Sequence, residues 1–167
     1  MIPLSIVVSS GFTFSRNWRG FELKQNDKIV ATIRQQSVWS SNFLAATSNE
    51  NWIIRRGGFW GNKAEIIDAA SQQPIAYFQS AWGSKGTLTF ADGQRFFLVT
   101  RGWWHPVWTV ATETGQPVLQ LHTHEKVVRL HDTAALPESR LLLLGLFTLY
   151  RVRQAEDAAA AACAAAS

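Results

Sequence analysis

The chain has 167 residues, 47% of them hydrophobic and 17% charged, with a formal net charge of +4. Its 8 Trp and 10 Phe exclude a disordered body, which would be poor in aromatics and rich in charge, and the length suits one domain. A single cysteine, Cys163, excludes an intramolecular disulfide and a thiolate metal cluster.

Met1 to Phe14 is apolar but has no basic residue ahead of its hydrophobic run, so it reads as a first strand and not as a secretory signal. Most of the chain beyond it alternates with period 2, the signature of strands. Phe21–Lys24, the turn Asn26-Asp27 and Ile29–Ile33 form a first hairpin. Ala64–Asp68 and Ile75–Gln79 flank Ser71-Gln72-Gln73-Pro74. Thr87–Phe90 and Arg95–Val99 flank Asp92-Gly93, the strongest hairpin signal in the chain, because both turn residues tolerate positive φ. Val107–Thr112 and Val118–His122 flank Thr114-Gly115-Gln116-Pro117. Arg19-Gly20-Phe21, Arg56-Gly57-Gly58-Phe59-Trp60 and Arg101-Gly102-Trp103-Trp104 each precede a hairpin, an internal repeat that suggests duplicated strands around a closed sheet.

The pattern then changes. Pro137-Glu138-Ser139 carries helix-start signals, and the Leu-rich run Leu141–Tyr150 favours helix over strand. Its ten residues span about 15 Å, half of a bilayer core of roughly 30 Å, and Arg151 and Arg153 interrupt it, which argues against a membrane span. A helix apolar on every face must be buried on every face. After many short strands, its natural place is the middle of a closed barrel, which also removes exposed strand edges. The predicted fold is therefore all-β with one central helix at about 138–153, the barrel domain covering 1–153. The alanine tract of 154–167 is predicted as a helical extension or a tail.

In this order and pattern the chain resembles the tubby C-terminal-like superfamily, with its tubby-like, phospholipid scramblase and LURP-one-related members. The resemblance is carried by Trp52-Ile53-Ile54-Arg55-Arg56-Gly57-Gly58-Phe59-Trp60 with Ile66-Ile67-Asp68, and by Gly86-Thr87-Leu88-Thr89-Phe90 with Asp92-Gly93. Trp108 with Gly115-Gln116-Pro117 and the segment Leu141–Val152 add to it. It implies a closed antiparallel barrel of about twelve strands around a buried hydrophobic C-terminal helix. The acidic calcium-binding segment of scramblases has no counterpart here, so lipid scrambling is not implied.

Residues 1–63 carry eight Lys/Arg against Glu22, Asp27 and Glu50, whereas 64–167 carry eight against nine acidic residues. The basic first third suits an anionic partner. Three stretches combine cations with aromatics. They are the loop Arg55–Lys63, with Arg55, Arg56, Phe59, Trp60 and Lys63; Arg16-Asn17-Trp18-Arg19; and Arg101-Gly102-Trp103-Trp104-His105. Aromatics of this kind enter a headgroup layer while Arg and Lys pair with lipid phosphate. Alternatively they fold inward and close the barrel ends, with the Arg stems lying over them.

No enzyme motif is found: there is no Gly-x-Ser-x-Gly, no P-loop and no Gly-x-Gly-x-x-Gly. His122 and His124, spaced by two on one strand, could share a metal with His131, but the glutamate directly after them, Glu125, points to the opposite face, and structural histidines are the favoured reading. The expectation is a non-enzymatic module without cofactor or metal, cytoplasmic and peripheral to the membrane, that docks on anionic phospholipid through Arg16, Trp18, Arg19, Arg55, Arg56, Phe59, Trp60, Lys63, Arg101 and Trp103. The alternative is a protein-interaction or scaffold domain using the same loops. Nucleic acid is disfavoured because the charge is small and the aromatics are needed for the core.

Overall fold

The computed structural model describes residues 11–58, 62–81, 85–131 and 136–167. Twelve strands succeed one another: β1 (Phe12–Arg16), β2 (Gly20–Gln25), β3 (Lys28–Gln35), β4 (Phe43–Thr47), β5 (Asn51–Gly57), β6 (Lys63–Asp68), β7 (Pro74–Ser80), β8 (Gly86–Phe90), β9 (Arg95–Arg101), β10 (Val107–Thr112), β11 (Pro117–His122) and β12 (Val127–Leu130). Each pairs antiparallel with its neighbours in the chain, and β12 closes the barrel on β1 through Phe12↔Val128 and Thr13↔Val127. The expected closed barrel is thus the fold. The helix α1 (Glu138–Ala166) completes it.

Period-2 alternation sets the wall. Leu23, Ile33, Ile54, Ile66, Leu88, Leu98, Val110 and Leu121 are buried inside. The outward positions include Glu22, Arg34, Glu65, Thr89 and Arg129. Leu141–Tyr150 of α1 is buried on every face, as the uniformly apolar run requires. The helix runs nearest β3 and β4, where the inward residues Ala31 and Ala45 are small. On the opposite wall larger rings fill the space: Phe78 lies 5.1 Å from Phe147, and Phe90 lies 5.8 Å from Phe96. Thr148, the one buried polar residue among those described, donates to the Leu144 carbonyl one turn back at 2.7 Å, so its hydroxyl is satisfied within the helix.

Local chemistry explains the turns. Asn26 and Asp27 both take positive φ, 51° and 62°, as a two-residue hairpin turn of the favoured hand requires. At Asp92-Gly93 only Gly93 does so, at 90°. The Gly93 N–H donates to Phe90 and the Phe90 N–H to Gln94, so the connection is longer than a two-residue turn. Arg55, Arg56 and Gly57 belong to β5 and Lys63 to β6, which corrects the expectation of a loop across 55–63: the flanking residues extend the ladder, pairing Arg55↔Glu65 and Gly57↔Lys63. The alanine tract continues α1 without a break to Ala166, consistent with alanine's high helix propensity. Residues 1–10, most of the expected first strand over Met1–Phe14, lie outside the described residues; β1 begins at Phe12, after Gly11.

Candidate functional site

In a meander barrel, alternate connections lie at alternate ends. The connections β1–β2, β3–β4, β5–β6, β7–β8, β9–β10 and β11–β12 all lie at one end, here the upper rim. The three Arg-aromatic stretches sit in the first, third and fifth of these, so the topology brings them to one end of the barrel. The helix begins at the lower rim, where Arg140 reaches Asp92 in the β8–β9 turn at 2.7 Å. It leaves through the upper rim, where Glu156 pairs with Arg16 at 2.6 Å.

The tips are built locally. Asn17 Oδ1 accepts from the N–H groups of Arg19 and Gly20, a side-chain turn that leaves Trp18 74% exposed. The Arg19 guanidinium covers the Trp18 ring at 4.0 Å. Gly102 takes φ +82°, and after it Trp103 and Trp104 meet edge to face at 5.6 Å, 89% and 73% exposed. The cluster continues through His105 to His124, whose rings are 4.1 Å apart. The β3–β4 connection adds Val38 and Trp39, the latter 94% exposed.

Not every expected cation is free. Arg16 is held by Glu156, and Arg55 points along the outer wall to Glu65 at 2.6 Å. Lys63 and Arg101 are exposed at strand ends on the rim. Phe59 and Trp60 lie outside the described residues. Arg56 shares the inward phase of β5 with Trp52 and Ile54, so it faces the barrel mouth.

At the mouth Arg56 meets the last buried turn of α1. Arg151 is half-buried, its guanidinium 4.6 Å above the Phe78 ring, and donates to Gln154 Oε1 at 2.7 Å. Gln154 Nε2 donates to the Tyr150 hydroxyl at 2.8 Å. Burial lowers the Arg151 pKa, opposed by Tyr150 and reinforced by the Arg56 charge. Burial also pushes the Tyr150 phenol up, against the charges of Arg151 and Arg56. Arg56, Tyr150 and Gln154 line a groove of about 440 Å³ that opens between the Val38-Trp39 tip and the emerging helix.

The histidine expectation is corrected. β11 ends at His122, so His124 lies in the turn beyond it and not on the strand. β12 then carries the chain to the lower rim, where His131 pairs with Gln120 at 3.1 Å. Among the described residues no group of three or more His, Cys, Asp or Glu is placed to hold a metal.

No family model, curated protein or solved structure matches the chain. The site is therefore read from its own geometry. The two rims differ in chemistry. The lower connections carry Asp27, Glu50, Asp68, Asp92 and Glu113, with Lys28 beside Asp27, Arg140 paired to Asp92 and Arg95 to Glu113, and among the described residues they expose no tryptophan. All four exposed tryptophans among the described residues crown the upper rim, beside Arg19, Lys63, Lys85, Arg101 and Lys126. No helix among the described residues is long and apolar enough to cross a membrane.

Sequence reasoning missed Trp39 and Arg151. Trp39 has no neighbouring arginine to mark it. Its signal is the polar, non-alternating surround Gln35-Gln36-Ser37 and Ser40-Ser41, which places an aromatic on a connection. Arg151 reads as the end of an apolar run, and its place at the mouth depends on the phase of the helix within the wall.

Proposed function

We propose that the upper rim docks the protein reversibly on membranes containing anionic lipid. The observation that carries this reading is the gathering of Trp18, Trp39, Trp103 and Trp104 on one rim, interleaved with cations, against an opposite rim that exposes no tryptophan among the described residues. Indole rings favour the headgroup layer, and each Lys or Arg near an anionic surface contributes about 1 kcal/mol, so several must act together. The lower rim, without exposed tryptophan among the described residues, would face away from the surface, with α1 emerging on the membrane side. Kinship with the tubby-like superfamily is part of this proposal and rests on the sequence pattern together with the barrel-around-helix architecture. A cytoplasmic, peripheral location belongs to the same reading.

The test is co-sedimentation with vesicles of phosphatidylcholine alone and with added phosphatidylserine, at low and high salt. The wild type should bind only the anionic vesicles and release them as salt screens the rim. A Trp18→Ser/Trp103→Ser variant and a Lys63→Ala/Arg101→Ala variant should each lose most binding. Equal binding to both vesicle types, or none to either, would reject membrane docking. The exposed indole and guanidinium groups would then serve a protein partner, for which Trp and Arg are favoured anchors.

A further inference from the structure

We propose that the barrel mouth holds a binding site for a phosphate monoester carried on an apolar chain, with Arg56 and Tyr150 as its donors and Arg151 as a second nearby charge. The inference is separate from rim docking, since its first probe is soluble.

Two guanidinium charges act on the Tyr150 phenol: Arg56 lines the groove, and Arg151 lies outside its lining on the Phe78 ring. Arg56 and Arg151 have no ion-pair partner among the described residues. The nearest acid on the groove, Asp157, is turned to Arg153 at 3.2 Å. A half-buried cation without a counter-charge is less well hydrated than one in open water. Here Arg151 is fixed in place: Phe78 supports its face and Gln154 takes one of its five N–H donors. The relay through Gln154 fixes the direction of the next group. Tyr150 accepts from Gln154, so its own O–H remains to donate. Burial of the phenol and the resulting upward shift keep that proton in place. The mouth thus offers guanidinium and phenol donors with two positive charges, matching a doubly charged phosphate, and guanidinium binds phosphate in forked pairs.

The groove above sets the rest of the ligand. Val38 and Trp39 form one flank, and Ala158 and Ala161 of the emerging helix form the other. An alkyl chain leaving the phosphate would lie between them.

Titration calorimetry of the full chain with hexyl phosphate tests the site, with hexanol and inorganic phosphate as controls. Hexyl phosphate should bind once per chain, inorganic phosphate more weakly, and hexanol not at all. Arg56 is exposed, so Arg56→Gln spares the core; it should weaken binding about tenfold or more, the worth of one charge-assisted contact. Tyr150→Phe keeps the ring in the core and should weaken binding severalfold. The Trp18→Ser/Trp103→Ser variant leaves the groove intact and should bind as the wild type does. Absence of saturable binding, or equal binding by wild type, Arg56→Gln and Tyr150→Phe, would overturn the proposal. Phosphatidic acid vesicles distinguish the source. If they displace hexyl phosphate, the phosphate is a lipid head group; if they do not, it is a free ester, and either result supports the site.

Discussion

Arg140, in the first turn of the helix, donates to the Asp92 carboxylate in the β8–β9 turn at 2.7 Å and lies 4.0 Å over the Phe90 ring. One side chain thus fastens the helix start to the lower rim. The backbone N–H of Gln94, and after it the Arg140 side chain, hold the Asp92 pKa below its usual value of 3.8. Asp68 is lowered likewise by Ser71. A depressed folded pKa gives stability that is present above the unfolded pKa and lost as pH falls through the folded one. Asp92→Asn should therefore melt below the wild type at neutral pH. The difference should shrink as pH falls from about 4 through the lowered pKa. Thermal melts across that range check it.

Leu146 is fully buried between the helix and the wall. Leu146→Ala should cost about 3 kcal/mol, the sum of lost transfer free energy and an unfilled cavity. Urea unfolding measures it through a lower midpoint with an unchanged slope.

Gly86 has no room for a side chain: a Cβ there would land on the Phe78 ring, with the Gln79 carbonyl oxygen at 3.2 Å. Gly86→Ala should destabilise the barrel by about 1–3 kcal/mol, as overpacking does. Because Phe78 is the platform under Arg151, the same change should weaken hexyl phosphate binding, read by calorimetry on the folded variant.

Ala155 to Ser167 is exposed along its length. Removing 158–167 should shift stability by no more than about 0.5 kcal/mol, the range for surface changes. Removing 151–167 should abolish cooperative unfolding, since Val152 and the Arg151 contact on Phe78 are lost with it. Circular dichroism melts distinguish the two.

The barrel was legible because its signals are local. Alternation in Ile29–Ile33 or Arg95–Val99 fixes which residues face inward, whatever the neighbouring strand is. The helix was legible because ten apolar residues in succession leave no solvent face. The gathering of Trp18 and Trp103 on one rim comes from counting strands, but only once β4, β5 and β12 are known to complete the meander. Arg56 was harder to place. Gly57-Gly58 reads as the middle of a loop, which hides that Trp52, Ile54 and Arg56 share one phase of β5. His131 is separated from His122 and His124 by the length of β12, a distance that spacing along the chain does not reveal.

The strands precede the helix in the chain, and this order bears on synthesis. A ribosome that has released β1 to β12 has made a wall whose Phe21, Phe78 and Phe96 are still without the helix that packs against the wall. Closing Phe12 onto Val128 already requires nearly the whole wall, and such long-range pairing is slow. Until Leu141–Val152 arrives, the nascent wall exposes apolar surface of the kind that aggregates or recruits chaperones. The helix that follows the twelve strands is thus the element that covers their apolar surface.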